Sequence, residues 1–253
     1  MSTVREFVHL SGGERLSCCE VSPAGSLVRD ERVLIMHGAG TSSKARSLPL
    51  AEDFADLGFR ALAFDFSGHG GSSGTLPELS LRRRFRQALG VLASFAADGG
   101  PVVLVGFSMS GQTVADLVER LGDRIRTICL CAPAVYAQDA WSVSFGADFT
   151  SAIRKPRSWE DSSAFKIYAG FSGRAVLVTP EHDAVIPSGV TSRLEECLRR
   201  NSAFSRLVLR GADHGLGVWL AGHPGQRRVL ANLVSSAVPP LDEEVRAALS
   251  TTG

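Results

Sequence analysis

The segment "VVLVGFSMSGQTVADLVERL", Val102 to Leu121, decides the fold. It opens as a run of β-branched and apolar residues, halts at Gly106, and changes within a few residues to helical spacing. Ser108 stands on the corner. A tight strand-to-helix turn at this point lifts a serine Oγ clear of the sheet. It also aims the next backbone N–H, that of Met109, at the space where a carbonyl oxygen becomes negative. The helix start behind it adds a partial positive charge. Small residues are needed two positions to either side, because strand and helix backbones crowd there; here they are Gly106 and Ser110. The plainer reading of Ser108 is a helix cap. Ser110 is the competing nucleophile, but its flanks fit less well because it would lie inside the helix.

Outward from this corner the pattern alternates. "REFVHL" and "RLSCCEV" around "SGGE" read as an opening antiparallel hairpin. "RVLIMHG" (32–38), "RALAFDF" (60–66), "PVVLVGF" (101–107), "IRTICLCAP" (125–133), "RAVLVTP" (174–180) and "SRLVLRG" (205–211) read as strands. Helical stretches separate them: "KARSLPLAEDFADLGF", residues 77–97, the run to Leu121, "GVTSRLEECLRR", Gln226 to Val234, and Asp242 to Leu249. Apolar strands alternating with helices imply an α/β fold: a mostly parallel sheet with helices on both faces. One domain over 1–253 is expected. Residues 134–171 break the rhythm, with no clean strand but eight of the eighteen aromatics. They are expected to form a lid insertion over the sheet edge.

Ligands of open parallel sheets bind beyond the carboxyl ends of the strands. Ser108 sits at such an end, and two more polar residues share it. "GADHG" places His214 just past the last strand, where an imidazole could take the serine's proton. "TPEHDAVIP" places Asp183 past the preceding strand, where a carboxylate could orient that imidazole. Asp213 is the weaker alternative acid, since adjacent side chains at a strand end diverge. His182 reads as a rim residue. His37 and His69 lie on glycine turns, and structural hydrogen bonding is the stronger reading for both.

Composition narrows the function classes. A net charge of +1 offers no general attraction to nucleic acid or to an anionic membrane. The basic runs "LRRRFRQ" (81–87) and "RKPR" (154–157) read first as a solvated helix face and a solvated loop. Five cysteines, none in C-x-x-C spacing, fit a reduced compartment, so a cytoplasmic protein is expected. The amino terminus has no apolar core of a secretion signal, and no apolar run reaches ~18 residues, so neither export nor membrane insertion is expected. No metal-ligand motif or nucleotide-phosphate motif is present, and no cofactor is expected. Oligomeric state is not legible.

These motifs together resemble the α/β-hydrolases over nearly the whole chain. "HGAG" (37–40) is similar to the family's oxyanion turn and "DFSGHGGSSG" (65–74) to its glycine-rich turn. "GFSMS" corresponds to the nucleophile elbow, "DAVIP" to the acid loop and "GADHG" to the histidine loop. The likeness is greatest to small-lid esterases of the cinnamoyl/feruloyl esterase and serine-aminopeptidase-like groups. It implies Ser108 as nucleophile, His214 as base and Asp183 as orienting acid, with Met109 and Ala39 giving the oxyanion-hole N–H groups. Ser110 departs from the G-x-S-x-G pattern. Gly38 and His37 on the oxyanion turn, and Trp141, Phe145 and Trp159 in the insertion, are the candidate substrate contacts.

The expected reaction is hydrolysis of a carboxylic ester, of aryl or medium acyl type, through an acyl-enzyme. A carrier-bound thioester, handled by a thioesterase or acyltransferase, is the second choice, and an amide the third. The reading of another class is a non-catalytic small-molecule binder on the same fold.

Overall fold

A computed structural model of the chain describes residues 2–25 and 28–236. The helix expected over Asp242–Leu249 lies outside the described residues.

The expected hairpin forms as β1 (Thr3–Ser11) and β2 (Glu14–Ser22). The parallel strands are β3 (Arg32–Met36), β4 (Arg60–Phe64), β5 (Val102–Phe107), β6 (Ile125–Cys131), β7 (Arg174–His182) and β8 (Ala203–Asp213). They make one sheet of eight strands in the order β1-β2-β4-β3-β5-β6-β7-β8. β2 pairs antiparallel with both β1 and β4, and every other neighbouring pair is parallel.

The period of two in each buried strand divides the core. Leu34, Met36, Leu62, Phe64 and Leu104 face one side; Val33, Ile35, Ala61, Ala63, Val103 and Val105 face the other. Helices α2 (Leu81–Phe95), α3 (Ser110–Leu121) and α6 (Ser188–Leu198) bury their apolar stripes on the first side. Helices α1 (Leu48–Asp56), α7 (Leu216–Gly222) and α8 (Pro224–Ser235) cover the second. The short helix α7 follows the last strand directly, and its seven residues carry too few helical turns for periodicity to reveal it.

Between β6 and β7 the chain forms no strand. It makes two short helices, α4 (Ala147–Ile153) and α5 (Ala164–Gly170), on the α2/α3 side. Phe145, Phe149, Phe165, Tyr168 and Phe171 are buried there with the core of that face.

The basic run 81–87 is not wholly a solvated face. Helical spacing turns Leu81, Arg84, Ala88 and Val91 to the same inner side, so Arg84 is fully buried while Arg82 and Arg86 stay exposed. By contrast, "RKPR" lies on an exposed loop, with Arg157 ion-paired to Glu160 at 2.6 Å.

The chain passes from β3 to β4 on one side and then to β5 on the other. The carboxyl ends of β3 and β5 therefore flank a topological switch point, where open α/β sheets place their crevice.

Candidate active site

At that switch point the end of β5 meets the start of α3. Ser108 has φ of +49°, in the left-handed region that is rare for a residue with a side chain. The strain is held by hydrogen bonds on both sides. The Ser108 N–H donates to the Cys131 carbonyl at 2.9 Å, and its carbonyl accepts from Gly111 at 2.8 Å and Ala134 at 2.9 Å. Gly106 makes the turn sterically possible: a Cβ there would lie 2.7 Å from Val114 Cγ2 and 2.9 Å from the Ser110 carbonyl oxygen.

The histidine and aspartate come together through strand register. β7 and β8 pair His182 with Asp213 beyond a bulge near Pro180, so the next residues, Asp183 and His214, leave adjacent strand ends side by side. Ser108 Oγ lies 2.9 Å from His214 Nε2, and His214 Nδ1 lies 3.1 Å from Asp183 Oδ2. An ionised carboxylate only accepts, which fixes the proton on Nδ1 and leaves Nε2 to accept from the Ser108 hydroxyl. Asp183 is itself held in place: its Oδ1 accepts from the N–H groups of Val185 and Ile186, each at 2.9 Å. Asp213 is turned elsewhere, accepting from the Gly215 N–H at 2.8 Å. His182 is exposed at the rim, 3.8 Å from Glu181.

The "HGAG" turn after β3 closes the site. A Cβ on Gly38 would stand 3.1 Å from Ser108 Cβ, close enough that a side chain there would press on the serine. His37 is buried, and its Nε2 accepts from the Phe66 N–H at 3.1 Å, leaving Nδ1 to donate to the Gly38 carbonyl at 2.6 Å. Burial first, and then the Arg84 charge, hold its imidazole well below the usual range, so it is neutral. His69 packs 4.8 Å away and is likewise lowered, mainly by burial. Met109 is buried at the start of α3 with helical dihedrals, and Ala39 lines the cleft.

Ser110, at the usual glycine position of the elbow, is fully buried as the first residue of α3. Its hydroxyl donates to the His37 carbonyl at 2.7 Å and accepts from Arg84 Nη2 at 2.8 Å; the same Nη2 donates to the His37 carbonyl at 2.7 Å. The substitution thus ties the elbow to the "HGAG" turn. Sequence reasoning passed over Arg84, although its inward place in the helical pattern was the available signal. The guanidinium lies 3.6 Å above the Phe66 ring, and burial lowers its pKa to about 9, which leaves it charged at neutral pH.

The cleft around Ser108 has a volume near 210 Å³. Of the expected substrate contacts, His37 and Gly38 line it, and Trp141, Phe145 and Trp159 do not. Trp141 instead borders a separate cavity of about 370 Å³, donating Nε1–H to Asp116 Oδ2 at 3.0 Å. Phe145 packs on Phe149 and Trp159 on Phe165, with ring centroids 4.6 and 6.0 Å apart. Among the described residues there is no group of three or more His, Cys, Asp or Glu side chains arranged to hold a metal ion, and no helix is long and apolar enough to cross a membrane.

Residues 29–166, more than half of the chain, match the family Hydrolase_4, described as serine aminopeptidase, S33. The chain belongs to this family of hydrolases. Its fold is the α/β-hydrolase fold of solved structures that share little sequence with it. The thioesterase domain of the curacin biosynthetic pathway superposes with a TM-score of 0.68 at 16% identity, covering 92% of this chain and 100% of that one. The esterase Pf2001 of Pyrococcus furiosus gives 0.67 at 16% identity, covering 92% and 91%. Est1E of Butyrivibrio proteoclasticus, solved with ferulic acid bound, gives 0.65 at 15% identity, covering 88% and 99%. No curated protein matches the chain in sequence.

Proposed function

We propose that this hydrolase cleaves a carboxylic ester through an acyl-enzyme on Ser108, with His214 as general base and Asp183 as the group that orients it. The observation that carries this reading is the pair of contacts joining the three side chains, 2.9 Å and 3.1 Å, around a serine held at positive φ. Ser108 gives its proton to His214 Nε2 as Oγ attacks the carbonyl carbon. The resulting oxyanion is received by the N–H groups of Met109 and Ala39, each such donor being worth ~3 kcal/mol in the transition state. Collapse expels the alcohol, which takes the proton from His214. Water then gives a proton to His214, attacks the acyl carbon, and releases the acid and the free serine.

The small cleft favours a compact acyl or alcohol group near the reacting carbon: 210 Å³ lies below the ~300–1,000 Å³ of drug-sized ligand sites. The structural likeness to a thioesterase domain supports a thioester as the second substrate class.

A fluorophosphonate probe tests the nucleophile. The native protein should be labelled and Ser108→Ala should not. Labelling that survives the substitution would overturn the assignment, and a native protein that never labels would point to the non-catalytic reading.

A further inference from the structure

The turn between the oxyanion segment and α1 carries two cations with different surroundings. It is a short 3₁₀ helix, Lys44–Ser47. Lys44 is neutralised: its Nζ lies 3.2 Å from Asp65 Oδ2 and 2.8 Å from Ser17 Oγ, and its backbone N–H donates to Asp65 Oδ1 at 2.6 Å. Two residues on, Arg46 lines the Ser108 cleft, half-buried, and pairs with no carboxylate among the described residues. Its one side-chain hydrogen bond there is a long one, 3.5 Å from Nη2 to the neutral Thr41 Oγ1.

The rest of the cleft sharpens the point. Ser42 and Ser43 line it beside Arg46, and Leu216, Gly217 and Val218 of α7 form a wall, with Gly217 close against the Arg46 stem. No Asp or Glu is among the described lining residues, so Arg46 supplies the one permanent charge there. A cation in a half-buried polar cleft, anchored by a turn that is itself tied down, is arranged to meet an anion brought by the ligand.

We propose that Arg46, with the Ser42 and Ser43 hydroxyls, is a subsite for an anionic oxygen group, a carboxylate or a phosphate, borne by the substrate close to its scissile carbonyl. The proposal rests on the ester-hydrolase reading for the identity of that carbonyl. It makes the preferred substrate a small, charged acyl compound rather than an apolar ester. The planar guanidinium can hold either group through two parallel N–H donors, and its field raises the local concentration of anionic substrate.

The test uses two matched pairs of substrates on the full chain. In the first, 4-nitrophenyl hydrogen glutarate carries a carboxylate that 4-nitrophenyl methyl glutarate lacks. In the second, 4-nitrophenyl phosphonooxyacetate carries a free phosphate that its dimethyl phosphate ester lacks. In at least one pair the charged member should be favoured in kcat/KM by about tenfold or more, the size of a hydrogen bond to a charged group. That ratio should fall towards one in Arg46→Gln and recover in part in Arg46→Lys. The pair that responds identifies the source of the anion. No preference in either pair, or a preference that outlives Arg46→Gln, overturns the subsite. So does an equal loss on charged and neutral members, which would assign Arg46 to the turn or the oxyanion.

A measurement without turnover separates this proposal from the ester reading. Ser108→Ala protein should bind monomethyl glutarate or methyl phosphonooxyacetate more tightly than the uncharged counterpart, dimethyl glutarate or the dimethyl phosphate ester of methyl hydroxyacetate, and should lose that discrimination in the Arg46→Gln double variant. Discrimination here without hydrolysis of any probe would keep the subsite and remove the esterase. Hydrolysis with no discrimination in either assay would do the reverse.

Discussion

Two cavities lie on the same chain and are built on opposite plans. The cleft at Ser108 is made of strand ends and turns: two glycine-containing loops, the ends of β5 and β6, and the residues that lead from β8 into α7. The larger cavity, between α2, α3 and the β6–β7 segment, is made of side chains: Leu81, Phe85, Tyr136 and Trp141 around the Asp116 carboxylate. The first places a hydroxyl, an imidazole and a carboxylate within tenths of an ångström of proton-transfer distance. The second shields a buried carboxylate and joins the insertion to the body. Where backbone defines a site, chemistry can be placed; where packing defines it, stability is gained.

That contrast orders the expected effects of substitution. Ser108→Ala should lower kcat by roughly 10⁴-fold or more, and Asp183→Asn by a comparable factor through the wrong imidazole tautomer. Steady-state kinetics on any ester the protein turns over reads both. Gly38→Ala pushes a methyl group to 3.1 Å from Ser108 Cβ, and a displacement of the serine should cost about 10²-fold in kcat with the fold intact.

Trp141→Ala belongs to the other cavity and should show the opposite signature. Activity should change by less than about tenfold, while stability to denaturant drops by about 3 kcal/mol as the ring and its bond to Asp116 are lost. A large kcat loss with unchanged stability would erase the distinction between the two cavities.

The smallest effect is in the pH dependence of stability. His37 and His69 have folded pKa values below the 6.5 of the unfolded chain. Below that pH the unfolded state binds more protons, so their contribution falls as acid is added. Asp116 works against them: burial, opposed by its bonds to Trp141 and Gln112, raises it from 3.8 to about 6. Between those values the folded state holds the extra proton, and stability from this group declines as pH rises. Asp116→Asn should therefore steepen the loss of stability on acidification from pH 6 to pH 4, by no more than about 3 kcal/mol. Denaturant melts across that range give the answer.

Much of the frame was legible in the sequence because it follows from period and punctuation. The strands at 32–38, 60–66, 101–107 and 125–133 each read as buried runs ending at a turn, and each ends within a few residues of its structural boundary. Ser108, Asp183 and His214 could be named because all three follow strand ends, and strand ends share one rim. Three things lay beyond that reasoning. The β7–β8 register that sets Asp183 beside His214 depends on a bulge that Pro180 and Gly211 mark without specifying which residues pair beyond it. The buried Arg84 reads as one more member of a basic run, since a charge is expected outside. The aromatics of 134–171 signal burial without saying against what, and they chose one another and the α2/α3 face over the Ser108 cleft.

One last feature offers an experimental handle. All five cysteines are free and buried, and desolvation pushes Cys18 up to about 11 and Cys131 well above its ordinary value. In the closed protein these sulfurs are poor targets for alkylating agents, because the thiolate is the reactive species. Carboxymethylation therefore becomes a clock for native-state opening. Cys131, which lines the cleft with Ser108, would report the breathing of that rim, and Cys18 that of the hairpin's junction with the sheet.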